Sequence, residues 1–92
     1  MTPPSASARY GLVLSPGALR ALTGRLPEKV AAAVHAFVTG ALLENPQCVG
    51  KPLRAPLAPA YSARRGEYRV TYFIDDDARV VNVTAIAHRS DA

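Results

Sequence analysis

Cysteine occurs once in this chain, at Cys48, which excludes an internal disulfide and removes every C-x-x-C or Cys/His ligand spacing. A lone thiol of this kind fits a reducing, cytoplasmic setting, and with no candidate base beside it in sequence it does not read as a nucleophile. Long apolar runs are scarce as well. The longest mostly apolar stretch, Val30 to Leu43, is interrupted by His35, Thr39 and Gly40 and falls short of the roughly 20 residues that a membrane span needs. The opening segment "MTPPSASARY" has no basic stretch followed by an apolar core. It is expected to be a flexible tail over residues 1–7 rather than a signal peptide, ahead of a domain at 8–92. A Gly-rich phosphate loop, G-x-S-x-G and H-E-x-x-H are all missing, so none of the chemistries that depend on them is indicated.

With 92 residues there is room for one domain, which buries only roughly 60–65% of its unfolded surface. Apolar residues make up 49% and charged residues 20%, an ordinary globular balance and not that of a disordered chain. The net charge of +4 is concentrated. Between residues 51 and 72, Lys51, Arg54, Arg64, Arg65 and Arg69 face only Glu67, a local balance of 5 − 1 = +4, while elsewhere six basic and six acidic residues cancel. A single-sign field of this sort favours a polyanion or an acidic protein partner over a neutral small molecule.

Residues 8 to 14 alternate weakly and hold β-favouring side chains, which predicts a strand. Ser15-Pro16 predicts a helix start, continued by Ala18 to Thr23 and ended at Gly24. Pro27 opens a second helix, with Val30, Val34, Phe37, Ala41 and Leu42 forming its apolar stripe. Residues 44 to 59 carry four prolines and are expected to be a connecting loop. Period-2 patterns predict strands near 60–65, 67–74 and 79–87, with turns at Arg65-Gly66 and at Asp75 to Asp77. The expectation is a small single α+β domain in the order β-α-α-β-β-β: a helical hairpin packed on one face of a mainly antiparallel four-stranded sheet.

On the strand "EYRVTYFI", Tyr68, Val70, Tyr72 and Ile74 share one face, and Arg69, Thr71 and Phe73 the other. Packing is the usual role for strand tyrosines. Arg69 is set among residues that favour burial and lies across a short turn from Arg64 and Arg65. Gathered guanidinium groups repel one another unless an anion is present, and their planar forks match phosphate oxygens; a solvated strand face is the other reading. His88, after the last strand, is either surface decoration or a proton carrier. His35 reads as structural, Pro56 to Pro59 as a stiffened loop that happens to match PxxP, and the three aspartates as a solvated turn rather than a metal site.

Taken together, "LPEKVAAAVHAFV", "NPQCVGKPLRAPLAPAYSARRGEYRVTYFIDD" and the closing "VTAIAHRSDA" resemble the RelE branch of the RelE/ParE toxin superfamily, the toxin halves of bacterial type II toxin–antitoxin pairs. The resemblance runs from about Ala8 to Ala92. It implies a cytoplasmic, ribosome-dependent endoribonuclease, an mRNA interferase without metal or cofactor, in which the ribose 2′-hydroxyl attacks the adjacent phosphate. By position Arg69 is the implied strand arginine of catalysis, and Arg64 or Arg65 the basic residue of the preceding strand. Arg89 is the basic residue after the last strand, with His88 beside it; Lys51, Arg54 and Tyr68 are implied contacts to RNA or ribosome. The implied partners are a RelB-like antitoxin, the ribosome and mRNA, with operator DNA reached through the antitoxin and no membrane. Relatives commonly continue into a tyrosine where this chain stops at Ala92, from which a shortened, less active chain is expected, or one in which His88 serves instead. A ParE-like inhibitor of DNA gyrase and a non-catalytic antitoxin-binding module are the alternative readings.

Overall fold

In a computed structural model of the protein, residues 10–88 are described, and their order follows the local chemistry closely. Strand β1 is Gly11–Leu14. Ser15 then caps helix α1, Pro16–Arg20, its hydroxyl accepting from the Ala18 amide at 3.2 Å with Pro16 in the first turn. The α-helix does not run on to Gly24 as expected; it widens into a π-helical turn over Ala21–Arg25. Pro27 precedes helix α2, Glu28–Thr39, which buries Val30, Val34, Phe37 and Val38.

The second helix was expected to continue through Leu42, and it breaks at Gly40 instead. A Cβ at that position would lie 2.9 Å from the Ala36 carbonyl oxygen, so the chain turns where only glycine fits. It resumes as α3, Ala41–Glu44, and Leu42 and Leu43 stay buried. The proline-rich segment expected to be loop contains more structure than that. It forms the single-turn helix α4, Pro46–Val49, and the two-residue strand β2, Lys51–Pro52. Elements this short fall below any detectable period, and Pro52 is tolerated because β2 is an edge strand.

Strands β3 (Tyr61–Arg65), β4 (Tyr68–Asp75) and β5 (Val80–His88) complete the sheet. It has five strands rather than four, in the order β1-β5-β4-β3-β2. Only β1 runs parallel to its neighbour, β5; the other pairs are antiparallel. Gly66, at φ +55°, opens the β3–β4 turn. The β4–β5 turn is held by Asp75, whose carboxylate accepts from the Ala78 amide at 3.0 Å. The helices cover one face of this sheet. Val34, Val38 and Leu42 meet Val70, Tyr72, Val81 and Val83 there, all of them fully buried.

A β-bulge shapes the far end of the sheet. Thr71 pairs with Ala85 but Tyr72 pairs with Val83, leaving Thr84 as the extra residue. The Thr84 carbonyl accepts from the Ser15 hydroxyl at 3.0 Å, and its own hydroxyl donates to the Thr71 carbonyl at 3.3 Å. Beyond the bulge, Ile86 turns to the helices while Ala85 and Ala87 are exposed. Among the described residues no helix is long and apolar enough to cross a membrane.

Candidate functional site

Period-2 alternation on β4 buries Val70 and Tyr72 and leaves Arg69 and Phe73 exposed. The β3–β4 register then decides which of the neighbouring arginines accompanies Arg69. Arg64 pairs directly with Arg69, and both are exposed on the uncovered face. One row further from the turn come Ser62 and Thr71, and Lys51 on β2 pairs with Ser62, extending the polar row to the sheet edge. On the other side Arg69 pairs with Ala87 and Thr71 with Ala85. Two small residues thus leave the space beside the guanidinium open.

Neither Arg64 nor Arg69 makes an ion pair among the described residues. Like charges placed directly opposite on a sheet oppose folding, so this pair is a local cost of the fold. An anion between the two guanidinium groups would turn the repulsion into attraction on both sides.

Arg65 goes the other way. It pairs with Tyr68, and its guanidinium sits over the Phe37 ring, 4.9 Å from the centroid. Tyr68 packs its ring 6.3 Å from that of Phe37 and donates to the Ala33 carbonyl at 3.5 Å. Burial raises the Tyr68 hydroxyl pKa, with Arg65 drawing it partly back. His88 pairs with Tyr68 across β4–β5, and its Nε2 lies 3.6 Å from Glu67 Oε1. The residues singled out from the sequence therefore divide by face: Arg64, Arg69 and Lys51 on the open side, Arg65, Tyr68 and His88 on the helix side. Arg54 is exposed in the loop after β2. Arg89 lies outside the described residues.

A second tyrosine, Tyr72, supports the basic row from below. The Tyr72 hydroxyl donates to the Pro46 carbonyl at 2.7 Å, and its ring stacks on Tyr61 at 5.7 Å. Burial, then Tyr61, push its pKa up to about 12 against a smaller opposing effect of Arg65. Gly50 passes so close that a Cβ there would run into that hydroxyl and lie 2.9 Å from the Ser62 carbonyl oxygen. The turn that delivers Lys51 to the sheet is thereby fixed by a buried side chain.

Across the open face, Leu53 and Leu57 from the loop after β2 close over Ser62, Arg69, Thr71 and Phe73 to form a groove of about 360 Å³. Period 2 places Phe73 on the same face as Arg69, but nothing in the sequence signals that the proline-rich loop folds back to make a wall. Among the described residues no group of three or more His, Cys, Asp or Glu side chains is arranged to hold a metal ion.

The family model described as the ParE toxin of the type II toxin–antitoxin system parDE matches residues 13–92. The chain is also 52% identical over 81 residues to the toxin RelE of Mycobacterium tuberculosis, covering 88% of this chain and 82% of that protein. It is a member of the RelE/ParE toxin superfamily. This toxin is 48% identical over 67 residues to the toxin RelG of the same organism, covering 73% of this chain and 77% of the relative. A chain from the crystal structure of the RelBE2 toxin–antitoxin complex of M. tuberculosis superposes with a TM-score of 0.85 at 43% identity, covering 88% of the toxin and 99% of that chain. The isolated RelE toxin of E. coli shares the fold, with a TM-score of 0.72 at 23% identity over 86% of this chain and 83% of that one.

Proposed function

We propose that this toxin is an mRNA interferase that cuts messenger RNA on the ribosome. The observation that carries this reading is the Arg64–Arg69 cross-strand pair, exposed and without an acidic partner among the described residues. In the reaction a ribose 2′-hydroxyl attacks the adjacent phosphorus and the bond to the 5′-oxygen of the next nucleotide breaks. The products are a 2′,3′-cyclic phosphate and a free 5′-hydroxyl, and the proton lost by the 2′-oxygen is matched by one gained at the leaving oxygen. Two guanidinium groups flanking the phosphate stabilise the charge that builds on its equatorial oxygens, while the sheet fixes their spacing before substrate arrives. Lys51, one row away on the same face, holds a neighbouring phosphate, and Arg54 adds backbone contact. Arg65 and Tyr68 serve by bracing the β3–β4 turn against Phe37. His88 lies beside Glu67 with its side chain largely buried on the helix side, across the sheet from the arginine pair, and takes no part in this chemistry.

The solved relatives named as toxin–antitoxin complexes support a RelB-like antitoxin as partner, and the +4 charge favours an acidic antitoxin segment over the basic face. A ribosomal substrate places the toxin in the bacterial cytoplasm, and operator DNA is reached through the antitoxin. The deciding experiment is primer extension on programmed ribosomes with the wild type and Arg69→Ala. Cleavage slowed about 100- to 1,000-fold in the variant is expected. Because the matching family model is described by its ParE members, inhibition of DNA gyrase is the second reading; intact mRNA together with blocked supercoiling would establish it instead.

A further inference from the structure

Phe73 is not accounted for by that chemistry. It is a large aromatic side chain left 36% exposed on the open face, on the same strand and the same side as Arg69. The row through it is otherwise Asn82 and Val13, its neighbours across β5 and β1, both exposed. The wall opposite is the loop after β2, which is tied down rather than loose. Its Leu53 amide donates to the Ala60 carbonyl at 2.9 Å, and Leu57 and Ala60 close a tight turn on Arg54 and Leu57 carbonyls at 2.9 and 3.1 Å. Leu57 is 61% exposed, with Leu53 partly buried beneath it. Between the two walls the floor carries the hydroxyls of Ser62 and Thr71, and among the described residues neither side chain makes a hydrogen bond.

An apolar slot with an aromatic face, free hydroxyls at its floor and a guanidinium at one end has the parts that hold a nucleobase. Aromatic side chains on an exposed sheet are a recurrent platform for unpaired bases, with polar groups reading the base edge. Its volume of about 360 Å³ lies at the small end of ligand pockets, which run from about 300 to 1,000 Å³. Phe73 lies four positions along the strand from Arg69, a backbone spacing of about 13 Å at the strand rise. That is beyond the base joined to a phosphate held by the arginines, so the base served is that of a neighbouring nucleotide. We infer that the groove is a nucleobase subsite in which Phe73 stacks on an unpaired RNA base next to the phosphate held by Arg64 and Arg69. This inference rests on the RNA-cleaving reading and adds to it a residue that positions the substrate.

The test uses a short single-stranded 2′-O-methyl oligoribonucleotide, which cannot be cut by 2′-hydroxyl attack, carrying 2-aminopurine at each position in turn. It is titrated at low salt with the toxin and with Phe73→Leu, Phe73→Tyr and Arg69→Ala. The expected result is quenching of 2-aminopurine at one position with wild type and Phe73→Tyr. Phe73→Leu should lose the quenching and bind about tenfold or more weakly, whereas Arg69→Ala should weaken binding wherever the probe is placed. Binding and quenching unchanged in Phe73→Leu would overturn the subsite, as would no binding at millimolar toxin. Cleavage on programmed ribosomes is scored separately. Phe73-dependent quenching without any mRNA cleavage would sink the nuclease reading but not the subsite, and cleavage without such quenching would do the reverse.

Discussion

Replacing Arg69 with alanine should move stability and activity in opposite directions. Arg64 and Arg69 are direct cross-strand partners, and side chains in that relation start from Cβ atoms about 4.5–5.5 Å apart. Unit charges about 5–10 Å apart in water repel by about 0.4–0.8 kcal/mol, within the about 0.2–1 kcal/mol found for cross-strand pairs. The aliphatic stem of Arg69 lines the groove and offsets some of that gain when it is removed. Arg69→Ala should therefore be as stable as the wild type or more so, by at most about 1 kcal/mol at low salt. The gain should shrink in about 1 M salt, where the screening length falls to about 3 Å. Removing one charge-stabilising donor should meanwhile slow mRNA cleavage about 100- to 1,000-fold. Urea unfolding at both salt concentrations, paired with single-turnover cleavage on programmed ribosomes, reads both effects. A variant less stable than wild type by more than about 1 kcal/mol at low salt would show Arg69 to be a packing residue, and the case for an unpaired anion site would fail.

Three further substitutions concern the scaffold. Tyr72→Phe leaves the buried Pro46 carbonyl without the hydroxyl that reaches it at 2.7 Å and should cost about 1–3 kcal/mol in urea unfolding. The same variant should alter the alkaline limb. The Tyr72 pKa is raised in the folded protein from 10.0 to about 12, so its stabilising contribution is complete below pH 10 and declines between 10 and 12, at up to about 1.4 kcal/mol per pH unit. A phenylalanine there should flatten that decline, and an unchanged slope would assign it to other groups. Gly50→Ala places a methyl group against the Tyr72 hydroxyl and the Ser62 carbonyl; it should cost about 1–3 kcal/mol and shift the backbone amide resonance of Lys51. Phe37→Ala removes the ring under Arg65 and should destabilise by about 3–5 kcal/mol, with the Tyr68 ring resonances reporting the loosened packing.

Most of the fold was legible because its long elements carry clean periods. The alternation along "YRVTYFI" placed Arg69 and Phe73 on the face opposite Val70 and Tyr72, as observed. Ser15-Pro16 and Pro27 marked the two helix starts. What was not legible depends on contacts between distant segments. The second helix breaks at Gly40, where a side chain would meet the Ala36 carbonyl and only glycine fits the turn, while the apolar stripe runs on past it and hides the break. Strand β2, the one not expected, is two residues long, too short to alternate. The choice between Arg64 and Arg65 turned on register, which depends on a two-residue turn and cannot be counted from charge. Arg65 looked equivalent to Arg64 in sequence, and its place over Phe37 required knowing where the second helix lies.

The core therefore does more than hold the toxin together. Val70, fully buried, sits between Arg69 and Thr71 on one strand and pairs with Ala63 and Ile86 on its two neighbours. A slip of one residue in that pairing would carry Val70 and Tyr72 to the open face and turn Arg69 toward the helices. The burial of Val70 and Tyr72 thus fixes the side on which Arg69 emerges, and the β3–β4 turn fixes that Arg64 meets it. The bulge at Thr84 completes the arrangement by turning Ala85 and Ala87 outward beside Thr71 and Arg69, where longer side chains would fill the space. A partner that neutralises this face has to supply negative charge to the arginine pair and an apolar group to the groove beside it. The two demands lie on one strand, in a geometry set by the hydrophobic residues between them.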